Sequence, residues 1–258
     1  MPRRRHGRLK PPQFEYHAPA SVDEACALLS SLEDAKVLAG GQSLMPLLNF
    51  RLARPAHLVD INRIDGFDRI YERDGGIGVQ ALARQAAVED SDLVARACPL
   101  LRDALRLVAH RVIRNRGTVC GSLAHADPAS ELPAVLLALG GGVVAMSARG
   151  QRVIAAQDLF TGVFETSLRS DELLAEAWFP ASPPKSGIHE ESRRHGDFAL
   201  AGVVRAGERL GLFGVAPTPV LADPADPARG LQPSGDLEAT AEFRLHLVRV
   251  LSDRAFAA

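Results

Sequence analysis

Apolar and polar positions alternate along this chain in short blocks, with periods that change between strand and helix. Ser21-Val22-Asp23-Glu24 reads as a capping box, and the apolar face of Ala25 to Leu29 continues it into a helix. Lys36 to Leu38 predict a short buried strand that runs into Ala39-Gly40-Gly41-Gln42-Ser43-Leu44. Ser43 is placed to cap a short helix through Leu48, with Pro46 near its start. Leu58 to Ile61 predict another strand, and Ile70 to Val79 a hairpin turning at Asp74-Gly75. Leu100 to Ala109 have helical spacing. A further helix begins at Pro128-Ala129-Ser130-Glu131-Leu132-Pro133 and ends at Gly140-Gly141-Gly142. Val143 to Ile154 predict a hairpin around Arg149-Gly150, and Leu173 to Phe179 a strand. Ala181 to Gly187, rich in proline and serine, reads as a linker. Beyond it lie strands over Phe198 to Val204 and Arg209 to Val215. The closing helix spans Thr240 to Phe256, with Phe243, Leu247, Val250 and Leu251 on one face.

Two glycine-rich segments interrupt this pattern: Ala39 to Leu44, and the run Arg114-Asn115-Arg116-Gly117-Thr118-Val119-Cys120-Gly121-Ser122-Leu123-Ala124-His125-Ala126-Asp127-Pro128. Glycine lacks the Cβ that would keep backbone N–H groups away from phosphate oxygens. Two such loops, each beside an apolar run, suit one long diphosphate ligand held from two sides. Gly76-Ile77-Gly78-Val79-Gln80-Ala81 also fits a loose dinucleotide fingerprint. Its glycines fall on the predicted hairpin rather than between a strand and a long helix, which sets that reading aside.

At these residues the chain resembles the flavoprotein (medium) subunits of molybdenum hydroxylases, the carbon monoxide dehydrogenase and xanthine dehydrogenase family. The resemblance extends over about residues 10 to 258 and includes Lys10 to Tyr16, Leu58-Val59-Asp60-Ile61, Asp158 to Gly162, Arg193 to Ala199, and Gly214 to Val220. It implies an α+β architecture: a PCMH-type FAD-binding fold of two α/β subdomains over 10–184, then a shortened C-terminal α+β domain over 188–258 that covers the flavin. Residues 1–9 are expected to be a disordered basic tail. The cofactor implied is FAD. Its first loop is Val37, Leu38, Ala39, Gly40, Gly41, Gln42, Ser43 and Leu44. Its second is Thr118, Val119, Cys120, Gly121 and Ser122. Family members usually carry glycine where Cys120 stands; a positive φ there would strain the cysteine by about 1 kcal/mol. The alternatives are a thiol near the flavin and a small buried side chain. Val108, Leu173 and Leu174 align with apolar positions beside the ligand. Glu131 or Asp127 is the acidic partner of the adenosine ribose, and Asp197 belongs to a loop at the flavin edge. Arg114 and Arg116 read either as phosphate partners or as surface ion-pair donors.

Composition narrows the function classes. The chain has 258 residues, 47% hydrophobic and 24% charged, enough for a sizeable core. A net charge of −1 favours neither nucleic acid nor an anionic membrane as partner, and no apolar stretch approaches a membrane span. The three cysteines, Cys26, Cys98 and Cys120, form no C-x-x-C pair, so no iron–sulfur or zinc site is expected here. Sparse cysteines fit a reducing cytoplasm. No G-x-S-x-G elbow is present, and no catalytic acid, base or metal ligand is expected. The resemblance therefore implies electron transfer, with substrate oxidised on a molybdopterin-binding large subunit. Electrons reach FAD through a small subunit carrying [2Fe–2S] clusters and leave to an external acceptor, in a heterohexamer. A stand-alone flavin oxidoreductase and a structural subunit without flavin are the competing readings; Cys120 and the short, Pro-rich Leu221 to Asp236 stretch keep the last one open.

Overall fold

A computed structural model describes residues 10–257. The basic run Arg3-Arg4-Arg5 lies outside the described residues. The first unit is a small parallel sheet with short helices: β1 (Glu15–His17), α1 (Val22–Ser31), β2 (Ala35–Leu38), α2 (Leu44–Asn49) and β3 (His57–Asp60). The sheet order is β1-β3-β2, with both pairs parallel. Ser21 caps α1 by accepting from the Glu24 amide at 3.1 Å, and the Glu24 carboxylate reaches back to the Ala20 amide at 2.8 Å. The first bond satisfies a donor the helix itself leaves orphaned, and the second ties down the residue before the cap.

The second unit is built on an antiparallel sheet. Its chain order is β4 (Ile70–Arg73), β5 (Gly76–Gln80), α3 (Gln85–Asp90), α4 (Asp92–Ala97), α5 (Pro99–Leu107), α6 (Arg111–Arg114), α7 (Val119–His125), α8 (Glu131–Leu139), β6 (Gly142–Ser147), β7 (Gly150–Ala155), α9 (Ala156–Leu159), β8 (Phe160–Gly162), β9 (Glu165–Thr166) and β10 (Leu173–Pro180). Five strands run in the order β4-β5-β10-β6-β7. Asp74 (φ 47°) and Gly75 (φ 74°) make the tight turn between β4 and β5, so the dinucleotide-like glycines do sit in a hairpin. The helices α3 and α4 carry no periodic sequence signal: each has only six residues, too few for an apolar period to declare itself.

The third unit comprises β11 (Ser186–Ser192), β12 (Ala199–Ala206), β13 (Arg209–Phe213), β14 (Val220–Ala222) and α10 (Ala241–Ala257), with an antiparallel sheet in that strand order. β12 is buried along its whole length. Val204 and Ala206 join the large core, whereas Leu200, Ala201 and Val203 join a smaller core with Leu247, Val248 and Leu251 of α10. The expected face of α10 is corrected here: Phe243 is exposed, Val250 is half-buried, and the buried stripe is Arg244, Leu247, Val248, Leu251, Ser252 and Ala255. Arg244 can lie inward because its guanidinium donates to the Leu200 and Gly214 carbonyls and to Asp236.

α8 joins the two parts. Every residue from Glu131 to Leu139 is buried, as expected of a helix apolar on all sides. It packs on α5 and β10 on one side and on β12 and β13 on the other. Gly140 (φ 72°) ends it in the left-handed conformation.

Candidate cofactor site

The two glycine segments meet. A Cβ on Gly40 would lie 2.4 Å from the Arg116 carbonyl oxygen and 2.8 Å from the Gly117 Cα. Only glycine permits this approach of one backbone to another. Gly41 follows at φ 72° and turns the chain into α2. Among the described residues, the backbone N–H groups of Gly40, Gly41, Gln42 and Ser43 donate to nothing. Those of Thr118 and Cys120 are likewise unpartnered. Backbone donors left open at a turn are a ready anion cradle. Ser43 occupies the cap position of α2 but is itself α-helical and makes no side-chain cap bond, contrary to the expected capping role.

The second segment is less of a loop than its glycines suggest. Val119 to His125 are helical, and Thr118 caps them by accepting from the Gly121 amide at 3.0 Å. A Cβ on Gly121 would sit 2.6 Å from that hydroxyl, which explains the glycine. Cys120 therefore has an ordinary helical backbone and none of the strain considered for it. Its thiol points into the core, against the Val79 carbonyl at 3.4 Å, and burial drives its pKa far above the usual thiol range. A thiol beside the flavin is not what this geometry offers.

A polar network absent from the sequence reading ties the two segments together. The Asn62 side chain donates to the Ala39 carbonyl at 2.8 Å and to Asp60 at 2.5 Å. Arg84 donates to the Asn62 side-chain oxygen at 2.6 Å and to the Arg116 carbonyl at 2.8 Å. Burial, with Arg116 nearby, lowers the Arg84 pKa from its usual value. Tyr16 closes the chain by donating to Asp60 at 2.6 Å, so the network reaches from the edge strand β1 to both glycine segments.

The remaining predicted residues fall around this centre. Val37 and Leu38 lie half-buried at the end of β2. Leu44 and Val119 open α2 and α7. Ser122 shares a hydrogen bond with Ser130 at 3.2 Å, and Asp127 accepts from the Ala129 amide at 2.9 Å. Glu131 begins α8 and is 6% exposed. Burial, with Glu190 and Asp127 adding repulsion, pushes it up to about 8; burial pushes Glu190 of β11 up to about 7. Val108 ends α5, and its carbonyl accepts from Arg114 at 2.8 Å. Arg114 is buried and also paired to Glu89 at 2.8 Å, so it is an internal ion-pair donor. Leu173 and Leu174 are only 2% and 5% exposed in β10, which leaves a ligand their backbone edge rather than their side chains. Asp197 is exposed on the β11–β12 loop. That loop rests on the neighbourhood of the second segment: a Cβ on Gly196 would lie 2.7 Å from the His110 ring.

Glu15, His17 and His57 bring one donor atom each within 4.8 Å of one another. They are scattered in sequence and meet only because β1 and β3 pair.

Residues 12–182 match the family described as FAD binding domain in molybdopterin dehydrogenase. The nicotine 6-hydroxylase medium subunit of Paenarthrobacter nicotinovorans is 45% identical over 195 residues, 76% of this chain and 69% of that protein. From the same organism, the 6-hydroxypseudooxynicotine dehydrogenase complex subunit alpha is 38% identical over 96% of this chain and 95% of its own. A solved carbon monoxide dehydrogenase from Hydrogenophaga pseudoflava, lacking the Mo-pyranopterin moiety of its molybdenum cofactor, superposes with a TM-score of 0.90 at 34% identity. It covers 96% of this chain and 97% of that one. The open amides, the glycine contact that any side chain would break, and the Arg84 network all suit a pyrophosphate bridging the two segments. The chain belongs to the FAD-binding medium subunits of the molybdenum hydroxylases, and the cofactor of its family is FAD.

Proposed function

We propose that this chain is the electron-transfer flavoprotein of a three-component molybdenum hydroxylase. Its partners are a small subunit with [2Fe–2S] clusters and a large molybdopterin-binding subunit, two copies of each, in the cytoplasm. FAD, when bound, supplies a carrier that accepts electrons from the small subunit and passes them to an external acceptor. The observation that carries this reading is the pair of backbone segments in contact at Gly40 and Gly117, with unpartnered amides on both. Gly40, Gly41, Gln42 and Ser43 on one side, and Thr118 and Cys120 on the other, hold the pyrophosphate through backbone N–H groups. Val37, Leu38, Ala39 and Leu44 shape the first segment, and Val119, Gly121 and Ser122 the second. Asp127 or Glu131 meets the ribose hydroxyls, Val108, Leu173 and Leu174 border the ring system, and Asp197 lies at its edge. Residues 10–184 form the flavin-binding domain and 188–258 the domain that covers it. Among the described residues no helix is long and apolar enough to cross a membrane.

The test is a visible absorption spectrum of the purified chain with analysis of released cofactor, repeated after co-expression with its companion chains. One FAD per chain, reduced by a hydroxylase substrate only when both companion chains are present, is the expected result. A colourless chain that takes up no FAD even beside its companions would end the proposal, and catalytic turnover of a substrate by the isolated monomeric chain would favour the stand-alone oxidoreductase.

A further inference from the structure

β1 is a three-residue edge strand, held to β3 by a short parallel ladder that sets Glu15 opposite His57 and His17 opposite Val59. Side chains two apart on a strand share a face, so Glu15 and His17 project on the same side as His57. His17 Nε2 lies 3.2 Å from His57 Nδ1, and His57 Nδ1 lies 3.5 Å from Glu15 Oε2. The imidazole rings are tilted by 44° with centroids 5.3 Å apart, so they do not stack. Two ring nitrogens and a carboxylate oxygen thus cluster within 4.8 Å of one another on one face of the sheet. Ligands about 2.0–2.1 Å from a tetrahedral zinc ion are about 3.3–3.4 Å from one another. The His17–His57 and His57–Glu15 separations lie close to that spacing, and the Glu15 and His17 donors are within 4.8 Å of each other.

We infer that Glu15, His17 and His57 form a binding site for a divalent transition metal of the Zn2+ class. Two imidazoles and one carboxylate favour such an ion over Mg2+ or Ca2+, which prefer all-oxygen shells. Three protein ligands leave one tetrahedral position for water. Its role is structural. The ion fastens the edge strand β1 to β3 on the face opposite the Tyr16–Asp60 hydrogen bond, so β1 is clasped on both faces. Neither the FAD cradle nor electron transfer uses these residues, so the site stands whether or not the functional proposal does.

The test is calorimetric titration of the full chain, as purified, with Zn2+ alone, followed by X-ray absorption at the zinc edge. One Zn2+ per chain is expected, with a first shell of nitrogen and oxygen and the multiple-scattering signature of imidazole. His17→Gln and His57→Gln should each weaken binding by at least about tenfold, Glu15→Gln by less, with FAD content unchanged. His125→Gln, remote from the cluster, should bind as the parent does. No uptake at sub-millimolar Zn2+, or uptake equal in the parent and both histidine variants, would overturn the inference. If a variant fails to fold, the spectrum of the parent decides alone, since a zinc shell without imidazole also overturns it.

Discussion

Replacing Gly40 with alanine should uncouple the two halves of the cofactor cradle. The new Cβ would sit 2.4 Å from the Arg116 oxygen, 2.8 Å from the Gly117 Cα and 3.0 Å from the Arg116 carbonyl carbon. A comfortable carbon–oxygen approach is about 3.3–3.6 Å, so the segments must part by about 1 Å. All the opposing atoms are backbone, so no flexible side chain can swing away. Overpacking of this kind costs about 1–3 kcal/mol of stability. The larger effect falls on the ligand. Moving one set of amides by about 1 Å forfeits at least one charge-assisted bond to phosphate, worth about 1.5–3 kcal/mol. That corresponds to FAD binding weakened by roughly 10- to 150-fold. The assay is flavin fluorescence on release from the protein, read beside thermal unfolding of the apo chain. Gly75→Ala is the control: nothing lies within 4 Å of its Cβ, but its φ of 74° costs about 1–2 kcal/mol of strain far from the cradle. It should lower stability and leave FAD affinity alone. A folded Gly40→Ala chain that binds FAD as tightly as the parent would refute the reasoning.

Arg84→Met removes the bonds to Asn62 and to the Arg116 carbonyl, and FAD affinity should fall by about tenfold, measured by the same release assay. Glu131 has its pKa raised to about 8 in the folded chain, above its unfolded value. Its contribution is therefore fully present below the unfolded pKa and is lost as pH rises through about 8. Denaturant unfolding of apo Glu131→Gln should show a flatter stability profile across that window, and an unchanged profile would contradict the assignment. All three cysteines are buried, so a thiol reagent at pH 8 should label none in the native chain and three after denaturation; a fast-reacting Cys120 would contradict its placement against Val79.

Local signals were the legible part. The Ser21–Glu24 capping box, the Asp74-Gly75 turn and the glycine stop after Leu139 depend on neighbours within a few residues, and all appear where the residues imply. The α10 face was misread because Arg244 counts as polar in any hydrophobic pattern. Its burial depends on carbonyls of Leu200 and Gly214, which a helical period cannot see. The second glycine segment reads as a loop from composition, yet Thr118 offers the capping hydroxyl that starts a helix three residues before Gly121. Arg84 and Asn62 carry no motif at all. They matter because the fold sets the Ala39 carbonyl beside one and the Arg116 carbonyl beside the other.

The contact between Gly40 and Gly117 joins residues far apart in the chain. On the proposed reading, a nascent polypeptide emerging from the ribosome has only the first of the two segments until the hairpin β4–β5 and the helices α3 to α6 have emerged. If the proposed cradle holds FAD, flavin capture waits until nearly half of the chain has emerged, and a truncated product ending before Gly117 should take up no FAD.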